Sequence, residues 1–155
     1  MGAVRLTERA APGDPPSAAD FRRMEELALA ALSEVAEIRT SGALRGARLV
    51  AVAGTVTTLA AVAQALPAYD ALRVHGSAMV RSELTAMVAR LAALSTAERA
   101  RLPGMEPKRA DVIVAGGILV ATAMELGGFE ELTVSDRGVR WGLLHDRFGV
   151  GGSGA

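Results

Sequence analysis

A glycine stands where the stretch from Leu49 to Leu66 changes from strand-like to helix-like residues. The first five residues are apolar and include two valines, which is typical of a buried strand, and alanine and leucine recur at helical spacing after Gly54. The first amide groups of a helix have no partner inside it and attract anions such as phosphate. The Gly54–Thr55 junction is therefore a candidate anion site, because glycine lets a ligand or another backbone approach closely.

The junction alone does not identify a ligand. Its sequence, Gly-Thr-Val-Thr-Thr, has neither the spaced glycines of a dinucleotide-binding turn nor the lysine of a nucleotide-binding phosphate loop. From these residues by themselves, anion binding is only a minor interpretation.

Composition excludes several classes of protein. The 155 residues, half of them apolar, are enough for one domain with a buried core. Seventeen basic residues balance seventeen acidic ones, so net charge gives no indication of a nucleic-acid or membrane surface. No apolar run approaches the roughly 20 residues that cross a bilayer. Without cysteine or a signal-peptide pattern, disulfides and thiol chemistry are excluded and a soluble cytoplasmic protein is expected.

The residues before the junction predict a strand, a turn and a long helix. In the segment Ala-Val-Arg-Leu-Thr-Glu-Arg, apolar Val4 and Leu6 alternate with polar residues, as in a half-buried strand. A proline-rich turn comes next. Ser17 is suited to cap a helix that extends to the Thr-Ser-Gly break at 40–42.

The second half of the chain predicts further helices and one strand. Helical spacing recurs over 84–94, and Ser95 with Glu98 forms a capping-box pattern. The segment 106–128 could hold a pair of buried strands, but its length, its early proline and its final Gly-Gly favour a helix. A short strand over 132–136 and a last helix over 139–148 complete the prediction, which is an α/β sheet covered by helices.

Ligands of such sheets lie beyond the carboxyl ends of the strands. Gly54 and the pair Ser135–Asp136 both occupy predicted strand ends. These two places are therefore the first to consider for a site.

Four segments together resemble one family. They are AVAGTVTTLAA (51–61), VHG (74–76), STAERARLPGMEPKRADVIVAGG (95–117) and LTVSDRGVRWGLL (132–144). In this order and spacing they are similar to the carboxyl-side half of the catalytic core of the exopolyphosphatase and guanosine-pentaphosphate phosphohydrolase family, the Ppx/GppA phosphatases. The resemblance covers almost everything from Leu49 to Phe148, and GAVRLTE near the start resembles the segment after the family's second phosphate loop.

The resemblance implies half of an actin-like, ribonuclease-H-like ATPase core: a mixed sheet with flanking helices that lacks the first strands of its lobe. Residues 1–148 would form the carboxyl-side lobe, and residues 149–155 a flexible tail. The partners it implies are the missing amino-side lobe and, in a homo-oligomer, a second copy of the chain. Val4 and Leu6 would then lie at an unpaired sheet edge, so the isolated chain is expected to self-associate or to be marginally stable.

The family removes terminal phosphate from inorganic polyphosphate or guanosine pentaphosphate, and magnesium is its expected metal. On this resemblance, Gly54 and Thr55 would face phosphate oxygens, with the hydroxyl groups of Thr57 and Thr58 nearby.

The family's catalytic signatures do not occur in this sequence. These are the aspartate of a first phosphate loop, a glutamate thought to activate water, and an Asp-x-Gly-Gly-Gly-Ser loop. Phosphoryl transfer to water needs a positioned base and charge stabilisation, so we assign no catalytic residue and no metal ligand. We expect this chain alone not to hydrolyse phosphoanhydrides.

Five further residues have either a substrate-binding or a structural role. Arg109 and Asp111 match the family's Arg-Ala-Asp and could contact substrate or pair with each other at a helix start. Gly116 and Gly117 indicate close packing of another backbone rather than ligand contact. Asp136 could touch a metal-bound water, although capping the last helix is the simpler role.

The remaining chemically capable residues favour structural roles. His75 lacks an accompanying carboxylate pair, so a hydrogen-bonded structural histidine is favoured over a general base. His145 is expected on the solvated side of the last helix, and Trp141 and the methionines in the core. Val80 stands where the family often has a capping threonine.

The sequence is compatible with three classes of function. The first is one lobe of a phosphoanhydride hydrolase. The second is a non-catalytic module that binds polyphosphate or nucleotide, and the third is a structural remnant that binds nothing.

Overall fold

The computed structural model describes residues 1–149 as helices around a small mixed sheet. In chain order the elements are α1 (Ala3–Ala10), α2 (Ala18–Ala31), α3 (Ser33–Thr40), β1 (Leu49–Val52), α4 (Gly54–Ala63), α5 (Ala71–Val74), β2 (Ala78–Val80), α6 (Arg81–Ala92), α7 (Thr96–Arg99), a 3₁₀ turn (Pro107–Arg109), α8 (Ile113–Gly127), β3 (Glu131–Ser135) and α9 (Val139–Phe148). Gly149 ends α9 in a left-handed conformation. The rest of the tail predicted over 149–155 lies outside the described residues.

The sheet brings the two predicted strand ends together. Its order is β1-β3-β2, with β3 central. β1 pairs with β3 in parallel, from Leu49 opposite Leu132 to Val52 opposite Ser135, and β2 pairs with β3 antiparallel. Because β1 and β3 run the same way, α4 and the loop after β3 start from one edge of the sheet.

Helix α8 forms the centre of the core. Its sequence is apolar on all sides, and a helix of that kind is stable only when it is surrounded. It packs against α1, α2, α3, α4 and α6. Leu132 and Val134 of β3 are fully buried beneath these helices, whereas Val50 and Val52 of β1 are about half exposed. Within the described residues, the helices thus cover one face of the sheet and leave the other face uncovered.

No helix within residues 1–149 combines the length and the apolar character needed to cross a membrane.

The amino-terminal segment is helix α1, so the prediction of an edge strand there was wrong. Leu6 and Ala10, four residues apart, are buried in the core, while Val4 is exposed. Two apolar residues in alternation fit a strand, but the burial follows the one-sided i, i+4 pattern of a helix. Leu6 is therefore a core residue and does not lie at a sheet edge.

The other predicted elements are mostly present, with shifted bounds. Ser17 caps α2 through a capping box with Asp20, and the predicted long helix is interrupted at Leu32, where α2 gives way to α3. The capping box of Ser95 and Glu98 is formed at α7. Strand β2 and helix α5 were not predicted; both lie between the predicted helices α4 and α6.

The ambiguous segment is a helix, as the sequence favours, but it begins later. Pro107 starts a 3₁₀ turn, and α8 begins at Ile113. Gly128 ends it with a left-handed φ of 72°, which glycine adopts without steric cost. Helix α6 starts after Val80 without a side-chain cap.

Candidate functional site

A cavity of about 1110 Å³ opens at the carboxyl edge of the sheet. Its walls come from the end of β1, the first turn of α4, the Leu-Pro-Gly turn after α7 and the start of α9. The turn is held close because Gly104, with a φ of 82°, packs directly on the α4 backbone at Ala61 and Val62. A Cβ at Gly104 would overlap that backbone, so glycine is what allows this wall to form.

The amino terminus of α4 lies at this cavity, and its first residue, Gly54, lines it. The first helical hydrogen bond runs from the Thr57 N–H to the Ala53 carbonyl, at 3.3 Å. The amides of Gly54, Thr55 and Val56 precede it and have no main-chain partner within residues 1–149. Ala53 adopts φ 78° and ψ 170°, a conformation that L-residues avoid. The chain therefore accepts backbone strain at the residue that immediately precedes these amides.

Arg109 lies directly on Gly54. A Cβ at position 54 would overlap the guanidinium group, so the glycine makes room for an arginine side chain. The Arg109 Nε donates to the Glu106 carboxylate, three residues earlier in the chain. The predicted ion pair between Arg109 and Asp111 is thus replaced by Arg109 and Glu106. Arg109 and the α4 amides face the same space with the same sign of charge.

Two further arginines border the cavity, and sequence reasoning did not select them. Arg101 follows α7 and Arg140 lies in the first turn of α9, and both are exposed. Neither has a carboxylate within salt-bridge distance in the described part of the chain. Each stands beside a motif already singled out, Arg101 before Leu-Pro-Gly and Arg140 after the end of β3. Closeness to these motifs is the sequence signal by which both arginines could have been selected.

The three threonines of the Gly-Thr-Val-Thr-Thr segment point to different places. Thr57 and Thr58 are buried and line the cavity. The Thr57 hydroxyl donates to the carbonyls of Ala53 and Gly54, at 3.4 and 3.3 Å. Thr55 instead borders a second cavity of about 400 Å³ against the amino-terminal residues. Thr55 itself does not line the first cavity.

Asp136 accepts a hydrogen bond from the Tyr69 hydroxyl across the cavity rim. Its own main-chain N–H donates to His75 Nδ1, at 3.3 Å. Partial burial and the neighbouring Asp136 carboxylate raise the pKa of Tyr69 to about 12. His75 is hydrogen-bonded, as predicted. Asp136 does not cap the last helix, because Gly138 is the N-cap of α9 and provides no side chain.

The remaining predicted residues lie outside the cavity. Asp111 is exposed near the start of α8 and does not line it. Gly116 packs against the Thr55 side chain, and Gly117 packs against Val88 of α6. Both glycines thus let side chains approach α8 closely, so the prediction that another backbone packs there was wrong.

Trp141 lines the cavity and is about half exposed, so its predicted place in the core was wrong. The Arg137 guanidinium lies 5.2 Å from the centre of its ring, within cation–π distance. The core prediction holds for the methionines other than Met1, which is exposed. His145 is exposed on α9, as expected.

The described residues do not fit a magnesium ion by themselves. Residues 1–149 contain no group of three or more histidine or carboxylate side chains that could hold a metal. The two carboxylates of the cavity, Glu106 and Asp136, are engaged by Arg109 and Tyr69. The site offers a set of cations and amide donors, which suits a polyanion.

Comparison with known proteins points to one family. Residues 1–149 match the Ppx/GppA phosphatase family. The chain is 37% identical to exopolyphosphatase 2 of Mycobacterium tuberculosis over 147 residues, which is 92% of this chain and 46% of that protein. It is 30% identical over 146 residues to exopolyphosphatase 1 of the same species, covering 93% of this chain and 41% of that protein.

Solved structures agree with the sequence comparison. The fold is similar to the Aquifex aeolicus Ppx/GppA phosphatase, with a TM-score of 0.81 and 28% identity, over 96% of this chain and 47% of that one. The chain spans about half the length of the curated relatives and solved structures it matches.

Proposed function

The chain belongs to the Ppx/GppA phosphatase family, and from that premise we propose that it supplies the phosphate-binding wall of a phosphoanhydride hydrolase. The observation that carries the proposal is the convergence of Arg101, Arg109 and Arg140 on the cavity at the amino terminus of α4. Guanidinium groups and helix-start amides bind phosphate oxygens through charge-assisted hydrogen bonds. A chain of linked phosphates presents many such oxygens along its length.

Inorganic polyphosphate and guanosine pentaphosphate are the two substrates we propose. Both carry phosphoanhydride bonds and negatively charged phosphate oxygens, which guanidinium groups bind. The relatives named exopolyphosphatase support this class of substrate for the chain.

The hydrolytic step needs groups beyond those described. Activation of a water molecule requires a base positioned toward it, and the two carboxylates that line the cavity, Glu106 and Asp136, are paired with Arg109 and Tyr69. We propose that the base and the metal ligands come from the half of the family fold that this chain does not match, the amino-side lobe. The chain's own residues would bind and orient the phosphate chain.

Because Glu106 and Asp136 are both paired, a second candidate function is also supported. It is a non-catalytic module that only binds polyphosphate or a nucleotide. The two candidates differ in one assay. Adding the amino-side half of a Ppx/GppA phosphatase with magnesium releases phosphate from polyphosphate if the chain is a hydrolase lobe. A folded pair that binds polyphosphate but releases no phosphate favours the module.

Calorimetric titration with tripolyphosphate tests the phosphate-binding wall. We expect Arg101→Ala, Arg109→Ala and Arg140→Ala each to weaken binding by about tenfold or more, since each removes a charge-assisted hydrogen bond. The matched control is Arg48→Ala, because Arg48 is exposed and immediately precedes β1, at the opposite edge of the sheet. Unchanged affinity in all three variants, or an equal loss in the control, would contradict the proposal.

A further inference from the structure

The chain has one tryptophan and one tyrosine, and both line the arginine-bordered cavity. Trp141 comes from α9 and Tyr69 from the segment between α4 and α5. Trp141 is 50% exposed and Tyr69 is 53% exposed, so both carry a large uncovered aromatic surface. Large aromatic side chains in a single-domain core are normally more buried than this.

The Tyr69 ring is held in place by a hydrogen bond, and the Trp141 ring has a cation beside it. The Tyr69 hydroxyl donates to Asp136, whose main-chain N–H is in turn bound to His75. The Arg137 guanidinium lies 5.2 Å from the centre of the Trp141 ring. A ring that is fixed before a ligand arrives, as Tyr69 is, loses little conformational freedom when it binds one.

A phosphate chain alone would not use these rings. Its oxygens match arginines and amides, but it has no planar group to lie against an aromatic surface. The cavity, at about 1110 Å³, is as large as pockets that hold whole drug-sized molecules. Stacking of a nucleic-acid base on an aromatic side chain contributes about 1–3 kcal/mol.

We propose that Trp141 and Tyr69 form an aromatic subsite that makes a nucleoside polyphosphate the preferred ligand over a plain phosphate chain. This inference rests on the proposed function, because the arginines are taken to hold the phosphates. Trp141 and Tyr69 are then the residues that determine specificity, while Arg101, Arg109 and Arg140 bind either ligand.

The single tryptophan makes the subsite directly observable by fluorescence. We expect GTP to quench Trp141 emission and to bind about tenfold more tightly than ribose 5-triphosphate, which has the same sugar and phosphates without the base. Trp141→Ala should remove that preference and leave the affinity for ribose 5-triphosphate unchanged. Trp141→Phe should keep most of it, since phenylalanine can still stack.

The control variant is Leu144→Ala, an exposed apolar residue of the same helix that does not line the cavity. It should retain the full preference for GTP. Equal affinity of the parent chain for GTP and ribose 5-triphosphate would overturn the proposed aromatic subsite. So would a loss of affinity in Trp141→Ala that is equal for both ligands. If ribose 5-triphosphate and tripolyphosphate both fail to bind, the proposed function itself is contradicted, so the two failures are distinguishable.

Discussion

Gly54 and Arg109 are the pair of residues that shapes the phosphate-facing surface. The guanidinium group occupies the space that a side chain at position 54 would take. Its Nε is tied to Glu106, which leaves the other nitrogens of the group for the cavity. A single missing Cβ thus places a cation beside the first amides of α4.

At this scale we predict that Gly54→Ala weakens tripolyphosphate binding by about 10- to 150-fold, the equivalent of one charge-assisted hydrogen bond. The new Cβ overlaps the end of a flexible side chain, so Arg109 moves away at little cost in stability. Calorimetric titration measures the affinity, and circular dichroism checks that the helical content is kept.

The control for this change is Gly142→Ala, because a Cβ there meets no atom within 4 Å and position 142 does not line the cavity. It should bind as the parent does. Parental affinity in Gly54→Ala would show that Arg109 does not contact the phosphate chain.

Sequence reasoning found Gly54 but not the group that faces it. A glycine after a buried strand indicates a close approach, yet the approaching group, Arg109, lies far along the chain and only the fold brings it near. Arg101, Arg140 and Tyr69 were missed for the same reason: their side chains converge on the cavity from three separate segments. Spacing within one segment carries no information about such convergence.

At the scale of elements, helices with clear end signals were predictable, whereas α1 and β2 were not. The capping boxes at Ser17 and Ser95 and the Gly128 stop follow directly from local chemistry. Helix α1 and strand β2 are too short for their pattern to distinguish period 2 from period 3.6. Whether each forms a helix or a strand is set by the elements that it packs against.

An ion pair joins helix α7 to the turn between α1 and α2. Arg99 of α7 is 2% exposed, and its Nη2 lies 3.2 Å from Asp14 Oδ1, in the turn between α1 and α2. The Thr96 N–H also donates to Asp14, at 2.7 Å. The main-chain N–H of Thr96 is the largest cause that holds the pKa of Asp14 below its ordinary value of 3.8, and Arg99 contributes.

We therefore predict that acid removes a stabilisation that Asp14 provides at neutral pH. A lowered pKa in the folded state stabilises the fold above the unfolded value of 3.8, and this contribution disappears as the pH falls through the folded pKa. In urea unfolding between pH 7 and pH 3, Asp14→Asn should be less stable than the parent at neutral pH, and the difference should shrink on acidification.

Asp20 also has a lowered pKa, but it is present in both proteins and cancels in this comparison. The pKa of Glu98 is lowered mainly by Ser95, and the Asp14 charge opposes that shift as its smallest cause, so Asp14→Asn changes the Glu98 contribution only slightly. Asp146→Asn, on the exposed surface of α9, should match the parent at every pH. A constant difference between Asp14→Asn and the parent would mean that the ionised carboxylate contributes nothing beyond its hydrogen bonds.

At the scale of the whole molecule, the sheet has an uncovered face and an unpaired edge among the described residues. β1 is the outer strand, and Val50 and Val52 are 54% and 46% exposed on it. The sequence predicted an unpaired edge but placed it at Val4 and Leu6, which lie in helix α1. An unpaired sheet edge is therefore present, but it is formed by β1 and not by the amino-terminal segment.

We predict that the isolated chain self-associates through β1, because an outer strand with exposed valines can pair with another chain. Light scattering at increasing concentration should show a rising average mass, and Val50→Lys should suppress the rise. Leu72→Lys is the matched control, since Leu72 is 92% exposed on α5 rather than on the sheet. A strictly monomeric parent, or equal suppression by Leu72→Lys, would rule out the β1 edge as the contact.

Phosphate binding at the start of α4 is tested most directly by ¹H–¹⁵N NMR titration of the 16.0 kDa chain with tripolyphosphate. We predict that the main-chain amides of Gly54, Thr55 and Val56 shift most, because they would donate to phosphate oxygens, and that the signal of Arg48 stays in place. Saturating tripolyphosphate that leaves these three amides unmoved, or that shifts a different surface instead, would contradict the assignment of this cavity as the phosphate site.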